Sequence, residues 1–94
     1  MRVEASWNGA TLAVSGNIIV IDGRTYFPPE TVDQALLVPS DHRTVCPKKG
    51  TARYFHIDVD GTVNENAAWT YADPAPAAAM VSGYIAFWKG VEIG

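Results

Sequence analysis

The chain has 94 residues, of which 48% are hydrophobic and 18% are charged, and its formal net charge is −3. A chain of this length forms one domain with one core, and this composition is typical of a globular protein rather than of a disordered one. Its acidic balance disfavours nucleic-acid binding, because the long-range field repels phosphates. No apolar run approaches the roughly 20 residues that span a bilayer, so no membrane partner is expected.

The chain has one cysteine, Cys46, and this count bears on the cellular compartment of the protein. A single cysteine cannot form an internal disulfide, so packing and hydrogen bonds must hold the fold, as suits a reducing cytosol. The first residues lack the apolar stretch of a secretory signal. We therefore expect a cytoplasmic protein that forms a single domain over residues 1–94.

In chain order, the first quarter predicts antiparallel strands over residues 3–7, 10–15, 18–21 and 24–27. Apolar residues alternate with polar ones in the first run, which is the period of a half-exposed strand. Asn8-Gly9 and Asp22-Gly23 are typical of tight hairpin turns, since both positions tolerate positive φ. The β-branched run 18–21 is interpreted as a strand buried on both faces.

The middle of the chain predicts one or two helical turns over residues 29–37, a loop at 39–41 and a strand over 51–59. Alternation in that strand places Ala52, Tyr54 and His56 on one face, which suits a site. Phe55 and Ile57 lie on the other face, which suits the core.

The last third predicts a loop at 64–66, a short strand holding Trp69 and Tyr71, and strands over 84–89 and 91–93. Residues 74–82 form the most helical segment, with Asp73 as the expected N-cap and Gly83 in the position of a C-terminal glycine. The expected fold is mainly β and antiparallel, with one or two short helices.

Residues 42–57 concentrate the reactive chemistry of the chain. They hold Cys46, both histidines and four of the seven basic residues, with no Asp or Glu among them. This segment therefore carries +4, and the rest of the chain carries −7. A local positive site on an acidic body is typical of a protein that binds a small anion.

Four spaced blocks occur in this order along the chain: Tyr26-Phe27-Pro28, Thr44-x-Cys46-Pro47-x-Lys49-Gly50-x-Ala52-x-Tyr54, Ala68-Trp69-x-Tyr71-x-x-Pro74 and Gly83-Tyr84-x-Ala86-Phe87. Together they resemble the signature of the domain of unknown function 427 family. The chain departs from the family signature at Lys48, where an aromatic residue is usual. The resemblance implies a small β-tent, or Mss4-like, fold and a nucleotidyltransferase-like label. Relatives of that architecture often hold zinc with four cysteines, which one cysteine cannot provide.

Cys46 is the candidate nucleophile, because neighbouring lysines favour the thiolate. The alternative is a buried cysteine that acts as a small hydrophobic residue. His42 or His56 would have to serve as its base. Together with Cys46 they lack the paired short spacings of a zinc site, so no metal and no cofactor are expected.

The basic turn and the aromatic residues together predict a ligand site. Residues 48–51 lack the full spacing of a phosphate-binding loop, so the expectation rests on charge, with a solvated basic turn as the alternative. Trp69 and Tyr71 lie in a polar segment, whereas Trp7 and Trp88 are assigned to the core. Aromatic walls with a few polar groups are typical of small-ligand sites.

The leading hypothesis is therefore a domain that binds a small anionic or aromatic ligand between the turn and strand of residues 44–54 and the Trp69–Tyr71 segment. The expected ligand-binding residues are Arg43, Thr44, Lys49, Tyr54, His56, Trp69 and Tyr71, with Cys46 on the floor. An enzyme that uses Cys46 or Lys49 on a nucleotide is the first alternative. A module that pairs through a strand edge, as a homodimer or with another protein, is the second.

Overall fold

The computed structural model describes residues 2–94 and contains nine β-strands in two sheets. The strands are β1 (Val3–Trp7), β2 (Ala10–Ser15), β3 (Ile19–Ile21), β4 (Arg24–Phe27), β5 (Leu37–Cys46), β6 (Gly50–Val59), β7 (Thr62–Thr70), β8 (Ile85–Phe87) and β9 (Glu92–Ile93). The smaller sheet has the order β2-β1-β9, and the larger has the order β3-β4-β8-β7-β6-β5. All their pairs are antiparallel, which confirms the mainly β fold.

The predicted hairpin turns are present. Asn8 and Gly9 have φ values of 50° and 79°, and Asp22 and Gly23 have values of 51° and 76°. Positive φ at both central residues is the conformation that matches the right-handed twist of the flanking strands. These turn residues therefore make both β1–β2 and β3–β4 tight hairpins.

Two segments predicted as loops are strands instead. Residues 39–41 lie within β5, and residues 64–66 lie within β7. Both strands pair with β6, which lies between them and offers backbone partners on each side. Register shifts in the β5–β6 and β6–β7 pairs accommodate these polar stretches as bulges. Pairing with a strong central strand thus overrides the local preference for a turn.

The β-branched run 18–21 is not buried on both faces as predicted. It forms β3, which pairs only with β4 at the edge of the larger sheet, and the Val20 side chain is 58% exposed. A run of β-branched residues indicates a strand, but its burial depends on how many neighbours the sheet supplies.

Within residues 2–94, helical structure is limited to three 3₁₀ segments, Pro29–Thr31, Gln34–Leu36 and Pro76–Val81. The Asp33 carboxylate accepts a hydrogen bond from the Ala35 amide at 3.2 Å and caps the second segment. The predicted N-cap at Asp73 is wrong, because the last segment starts after Ala75 and has no side-chain cap. Across residues 2–94, no helix has the length and apolar character needed to span a bilayer.

The larger sheet carries a different apolar cluster on each face. The inner core lies between the two sheets and contains Ala5 and Leu12 from the smaller sheet with Phe27, Ile57 and Phe87 from the larger. The outer cluster, on the other face, consists of Tyr26, Ala52, Trp69, Tyr71, Ala78, Val81 and Ala86. Because the Pro76–Val81 segment covers only part of that outer face, the rest is available for a site.

Candidate functional site

A row of facing residues crosses four strands on the outer face. Tyr54 of β6 pairs with Trp69 of β7, Trp69 pairs with Ala86 of β8, and Ala86 pairs with Tyr26 of β4. Residues that face each other across neighbouring strands share one side of a sheet. Strand register therefore brings together three aromatic rings from residues 26, 54 and 69.

The rings in this row touch, and the small residue between them makes this contact possible. The Tyr26 and Trp69 ring centroids lie 6.2 Å apart with the planes perpendicular, and the Trp69 indole N–H donates to the Tyr26 hydroxyl at 3.4 Å. Ala86, which is fully buried, lies between these two residues in the row. A methyl group leaves room for the rings to meet above it. The edge-to-face arrangement is a favoured geometry for aromatic pairs.

These rings border a hollow of about 280 Å³ on the outer face. We call it the aromatic hollow, and it is lined by Asp22, Arg24, Tyr26, Lys49, Tyr54, Trp69, Tyr71 and Trp88. Five of the eight lining residues are aromatic, and the other three are charged. Its charged groups carry a net +1. An apolar wall with a few charged groups is the usual composition of a small-ligand site.

The turn between β5 and β6 places Lys49 at the hollow. The Lys49 amide donates to the Cys46 carbonyl at 3.2 Å, and the Lys49 carbonyl accepts from the Ala75 amide at 2.9 Å. Gly50 has φ of 107°, and a Cβ there would lie 3.0 Å from the Ala75 nitrogen. Glycine at position 50 therefore lets the turn dock against the residues that precede the last 3₁₀ segment.

Lys49 is held by one carboxylate. Its ammonium nitrogen lies 2.7 Å from Asp22 Oδ2, and its side chain is only 18% exposed. The hydrogen bond and the charge of this partner raise the pKa of Lys49 and lower the pKa of Asp22. Both groups are thus charged at neutral pH, and the ammonium lies where it can meet an anion in the hollow.

Arg24 and Trp88 complete the wall opposite Tyr54. The Arg24 guanidinium carbon lies 5.7 Å from the Trp69 ring centroid and 6.0 Å from that of Trp88. These distances are typical of cation–π contacts. Trp88 is 37% exposed, so its assignment to the core is wrong, since it lies at the rim of the hollow instead.

Tyr71 contributes a buried phenol. Its side chain is only 7% exposed, and its backbone forms a parallel bridge to Ser82 that fixes it beside the last 3₁₀ segment. Burial raises the pKa of Tyr71, because the phenolate would lose hydration there. The phenol therefore stays neutral and can donate a hydrogen bond at neutral pH.

Of two further predicted ligand-binding residues beside the hollow, Thr44 supports Tyr54 and His56 does not. The Thr44 hydroxyl and the Tyr54 hydroxyl are hydrogen-bonded at 3.0 Å, which positions the phenol. His56 Nδ1 accepts a hydrogen bond from the Asn66 amide at 3.1 Å, so it stabilises the β6–β7 bulge and does not line the hollow. The His42 ring packs on Tyr54, with centroids 4.6 Å apart.

The remaining predicted residues, Arg43 and Cys46, are outside the lining of the aromatic hollow. Arg43 lies on the opposite face of the sheet, because it pairs with Arg53 rather than with Tyr54. Backbone N–H groups of Lys48 and Lys49 lower the pKa of the Cys46 thiol. Among residues 2–94, neither histidine is hydrogen-bonded to that thiol.

Sequence reasoning missed Asp22, Arg24 and Tyr26 and misassigned Trp88. Strand alternation indicates Arg24 and Trp88. Arg24 is two residues before Tyr26 and Trp88 is two residues after Ala86, so each lies on the same face of the sheet as that residue. The required information is the pairing of β4 with β8, which joins residues about sixty positions apart and is invisible in a single sequence.

No three His, Cys, Asp or Glu side chains come together as metal ligands in the part of the chain that the structure describes, residues 2–94. A comparison with curated proteins found no match. A comparison with protein families did find one, and it spans residues 1–93. The chain therefore belongs to the family described as "Domain of unknown function (DUF427)", as the four sequence blocks predicted.

Proposed function

We propose that this protein binds a small aromatic anion, such as an aromatic carboxylate, in the aromatic hollow. The observation that carries the proposal is the position of the Lys49 ammonium at the edge of a hollow walled by five aromatic rings. A planar ring would stack on Trp69 or Tyr54, while its carboxylate would meet Lys49 or Arg24. The net positive charge of the lining favours an anion over a cation.

The size of the hollow restricts the ligand. A cavity of roughly 150 Å³ accommodates benzene, and the hollow measures about 280 Å³. It therefore has room for a single substituted ring or two fused rings. A whole nucleoside triphosphate would leave most of its phosphates in solvent, which argues against the nucleotidyl-transfer alternative.

Asp22 competes with the ligand for Lys49. Its carboxylate lies 2.7 Å from the ammonium, and its own side chain is 74% exposed, so it can move into solvent when an anion arrives. Ion pairs with an exposed partner contribute little stability, because water solvates the separated charges well. Replacing the Asp22 carboxylate with the carboxylate of a ligand at Lys49 therefore costs little free energy.

The test is a titration with benzoate, benzamide and benzylamine, followed by tryptophan fluorescence. We expect benzoate to bind more tightly than the neutral and cationic analogues. The variant Lys49→Met should weaken benzoate binding by about tenfold, the value of one charge-assisted contact, and leave benzamide binding unchanged. The variant Asp22→Asn should strengthen benzoate binding, because it removes the competitor.

Lys48→Met is the matched control. Lys48 is the exposed neighbour of Lys49 and does not line the hollow, so this variant removes the same charge and should leave benzoate binding unchanged. Equal losses in both lysine variants would mean that only net charge matters and would contradict the proposal. So would equal binding of benzoate and benzylamine by the unmodified protein.

The catalytic alternative has weaker support. The thiol of Cys46 has a lowered pKa, which favours a nucleophile, but in residues 2–94 no histidine is in hydrogen-bond contact with it. A nucleophile normally needs such a base within reach. The proposal is therefore binding rather than turnover.

The strand-edge alternative concerns β5, the outermost strand of the larger sheet on one side. Val45 on this strand is 76% exposed, as an interaction surface would be. However, β5 also contains Pro39, Arg43 and a bulge between them, and these features are typical of edges that avoid pairing. Dimerisation that depends on concentration and is abolished by Val45→Lys would favour this alternative.

Two finer points belong to the same proposal. We place the protein in the cytoplasm, supported by a composition with one cysteine and no disulfide. We also assign the fold to the β-tent, or Mss4-like, architecture, supported by the family resemblance and by two antiparallel sheets packed around one core.

A further inference from the structure

A second cavity lies on the opposite face of β6 from the aromatic hollow. It measures about 340 Å³ and is lined by Arg43, Thr51, Arg53, Ala72 and Asp73. Arg53 faces away from the hollow, because the next residue along the strand, Tyr54, lines the hollow and successive side chains point to opposite faces. The smaller sheet packs over the other end of this face, around Ile57 and Val59, and leaves the end near Arg53 exposed.

The cavity brings two like charges together, and neither forms a salt bridge in the described residues 2–94. Arg43 of β5 lies directly opposite Arg53 of β6 in the antiparallel register. Like charges at facing positions destabilise a sheet. In the described part of the chain, residues 2–94, the one salt bridge joins Lys49 to Asp22, so neither arginine has a carboxylate partner. Asp73 borders the cavity and leaves it with a net charge of +1.

One of the two guanidinium groups is already fixed in place. Arg43 Nη1 donates to the Ser40 carbonyl at 3.0 Å and to the His42 carbonyl at 2.9 Å. The β5 bulge that precedes Arg43 brings both carbonyls within reach. A guanidinium has five N–H donors, so donors on the other nitrogens remain available for a ligand.

The second guanidinium is free. Within residues 2–94, the Arg53 side chain makes no hydrogen bond or salt bridge. The Thr51 hydroxyl lies two residues earlier on the same face and borders the same cavity. A fixed guanidinium, a free guanidinium and a hydroxyl around one cavity form the donor set that recognises an oxyanion.

We infer that this cavity binds a small oxyanion, a phosphate or carboxylate group, between Arg43 and Arg53. The site is separate from the aromatic hollow, and the inference does not depend on the function proposed for that hollow. Because both arginines are exposed and Asp73 opposes the anion, binding is weak and decreases with salt. Phosphate and carboxylate share the chemistry, and the experiment distinguishes them.

The test is a pair of titrations, with inorganic phosphate and with acetate, at constant ionic strength. Binding is followed by NMR of the backbone amides of residues 51–53 and 72–73 and of the arginine side-chain Nε–H groups. We expect saturable shifts, with phosphate binding more tightly if the natural ligand carries a phosphate and acetate if it carries a carboxylate. Arg53→Gln and Arg43→Gln should each raise the dissociation constant by about tenfold.

Three variants serve as controls. Arg2→Gln removes the same charge from an exposed residue next to the other sheet and should leave the dissociation constant unchanged. Lys49→Gln should also leave it unchanged, which separates this site from the aromatic hollow. Asp73→Asn should lower the dissociation constant, an improvement that a folding defect would not produce.

Shifts that rise linearly without saturation would overturn the inference. The same dissociation constant in Arg53→Gln and Arg2→Gln would overturn it as well. An Asp73→Asn protein that binds no better than the unmodified protein would also contradict it, even if the arginine variants proved unstable.

Discussion

At the scale of single residues, the site depends on a methyl group. Ala86 lies between Tyr26 and Trp69 in the row across the sheet, and its small side chain lets the two rings meet above it. A larger side chain would push them apart and fill the base of the outer cluster. Protein interiors are packed tightly enough that such insertions force neighbouring side chains from their preferred conformations.

We predict that Ala86→Leu lowers the free energy of unfolding by about 1 to 3 kcal/mol, the usual cost of overpacking. It should also weaken benzoate binding in the aromatic hollow, because the Tyr26–Trp69 wall is displaced. Urea unfolding and fluorescence titration measure the two effects. Ala13→Leu, at an equally buried alanine in the inner core, should reduce stability without a specific effect on binding. Unchanged benzoate affinity in Ala86→Leu would contradict this account of the wall.

Four of the residues predicted to bind a ligand lie around one hollow. Charge predicts Lys49 for the site, alternation predicts Tyr54, and a polar segment within a family block predicts Trp69 and Tyr71. Arg43 was grouped with them because it is near in sequence, yet the sheet places it on the other face. Sequence proximity shows which residues share a turn. The face of the sheet on which a residue lies depends on strand register, which a single sequence does not reveal.

At the scale of elements, the turn between β5 and β6 is fixed by contact rather than by its own preference. The Lys49 carbonyl accepts a hydrogen bond from the Ala75 amide, and a Cβ at position 50 would lie 3.0 Å from the nitrogen of that amide. The position of the turn that carries Lys49 therefore depends on the segment before the last 3₁₀ helix. Any change that separates them should move Lys49 from the hollow.

Gly50→Ala tests this coupling. The substitution places an L residue at φ of 107° and a Cβ at 3.0 Å from the Ala75 nitrogen, so strain and a steric clash add together. We expect a loss of about 2 kcal/mol or more in the free energy of unfolding, and weaker benzoate binding.

Gly61→Ala is the matched control for that variant. Gly61 has φ of 85°, but no neighbouring atom of the described residues 2–94 lies within 4 Å of the point that an alanine Cβ would occupy, so this variant reports strain alone. We expect its loss of stability to be smaller by about 1 kcal/mol, with benzoate binding unchanged. Equal losses in the two alanine variants would show that the docking contact contributes nothing.

Element prediction succeeded where the local sequence decides the outcome. The hairpins at Asn8-Gly9 and Asp22-Gly23 follow from residues that accept positive φ, and the structure has them. The polar stretches 39–41 and 64–66 were predicted as loops, because nothing in them favours a strand. They lie within strands because β6 pairs with the residues that flank them, and most of each stretch forms a bulge. Long-range pairing of this kind cannot be predicted from local preference.

At the scale of the whole molecule, the ionisation of three side chains around the aromatic hollow makes the free energy of unfolding depend on pH. The pKa of Asp22 is lowered by Lys49, so this group stabilises the fold above its unfolded pKa, and that stability is lost as pH falls through the folded pKa. The pKa values of Lys49 and Tyr71 are raised. The contribution of these two groups to the free energy of unfolding is fully present below their pKa values in the unfolded chain. It is lost as pH rises through their pKa values in the folded protein.

We therefore predict that the free energy of unfolding falls both below about pH 4 and above about pH 10. Tyr71→Phe should flatten the alkaline decrease, because the buried group can no longer ionise. Asp22→Asn should remove a small part of the acid decrease and of the alkaline one, since it removes the exposed partner of Lys49. Urea unfolding across the pH range measures these slopes.

Asp41→Asn is the control for that series, because Asp41 is exposed and forms no salt bridge in the described residues 2–94. It removes the same charge and should leave both slopes close to those of the unmodified protein. An acid decrease that persists unchanged in Asp22→Asn would show that the ion pair with Lys49 does not contribute.

The strands β4 and β8 contribute to both faces of the larger sheet with consecutive residues. Tyr26 and Ala86 face the aromatic hollow, whereas Phe27 and Phe87 belong to the inner core. A slip of one residue in either strand would exchange these faces. It would send a benzyl group toward the aromatic hollow and a phenol or a methyl group toward the inner core. A misregistered chain would therefore lose the aromatic wall of the hollow and the packing of the inner core in the same event.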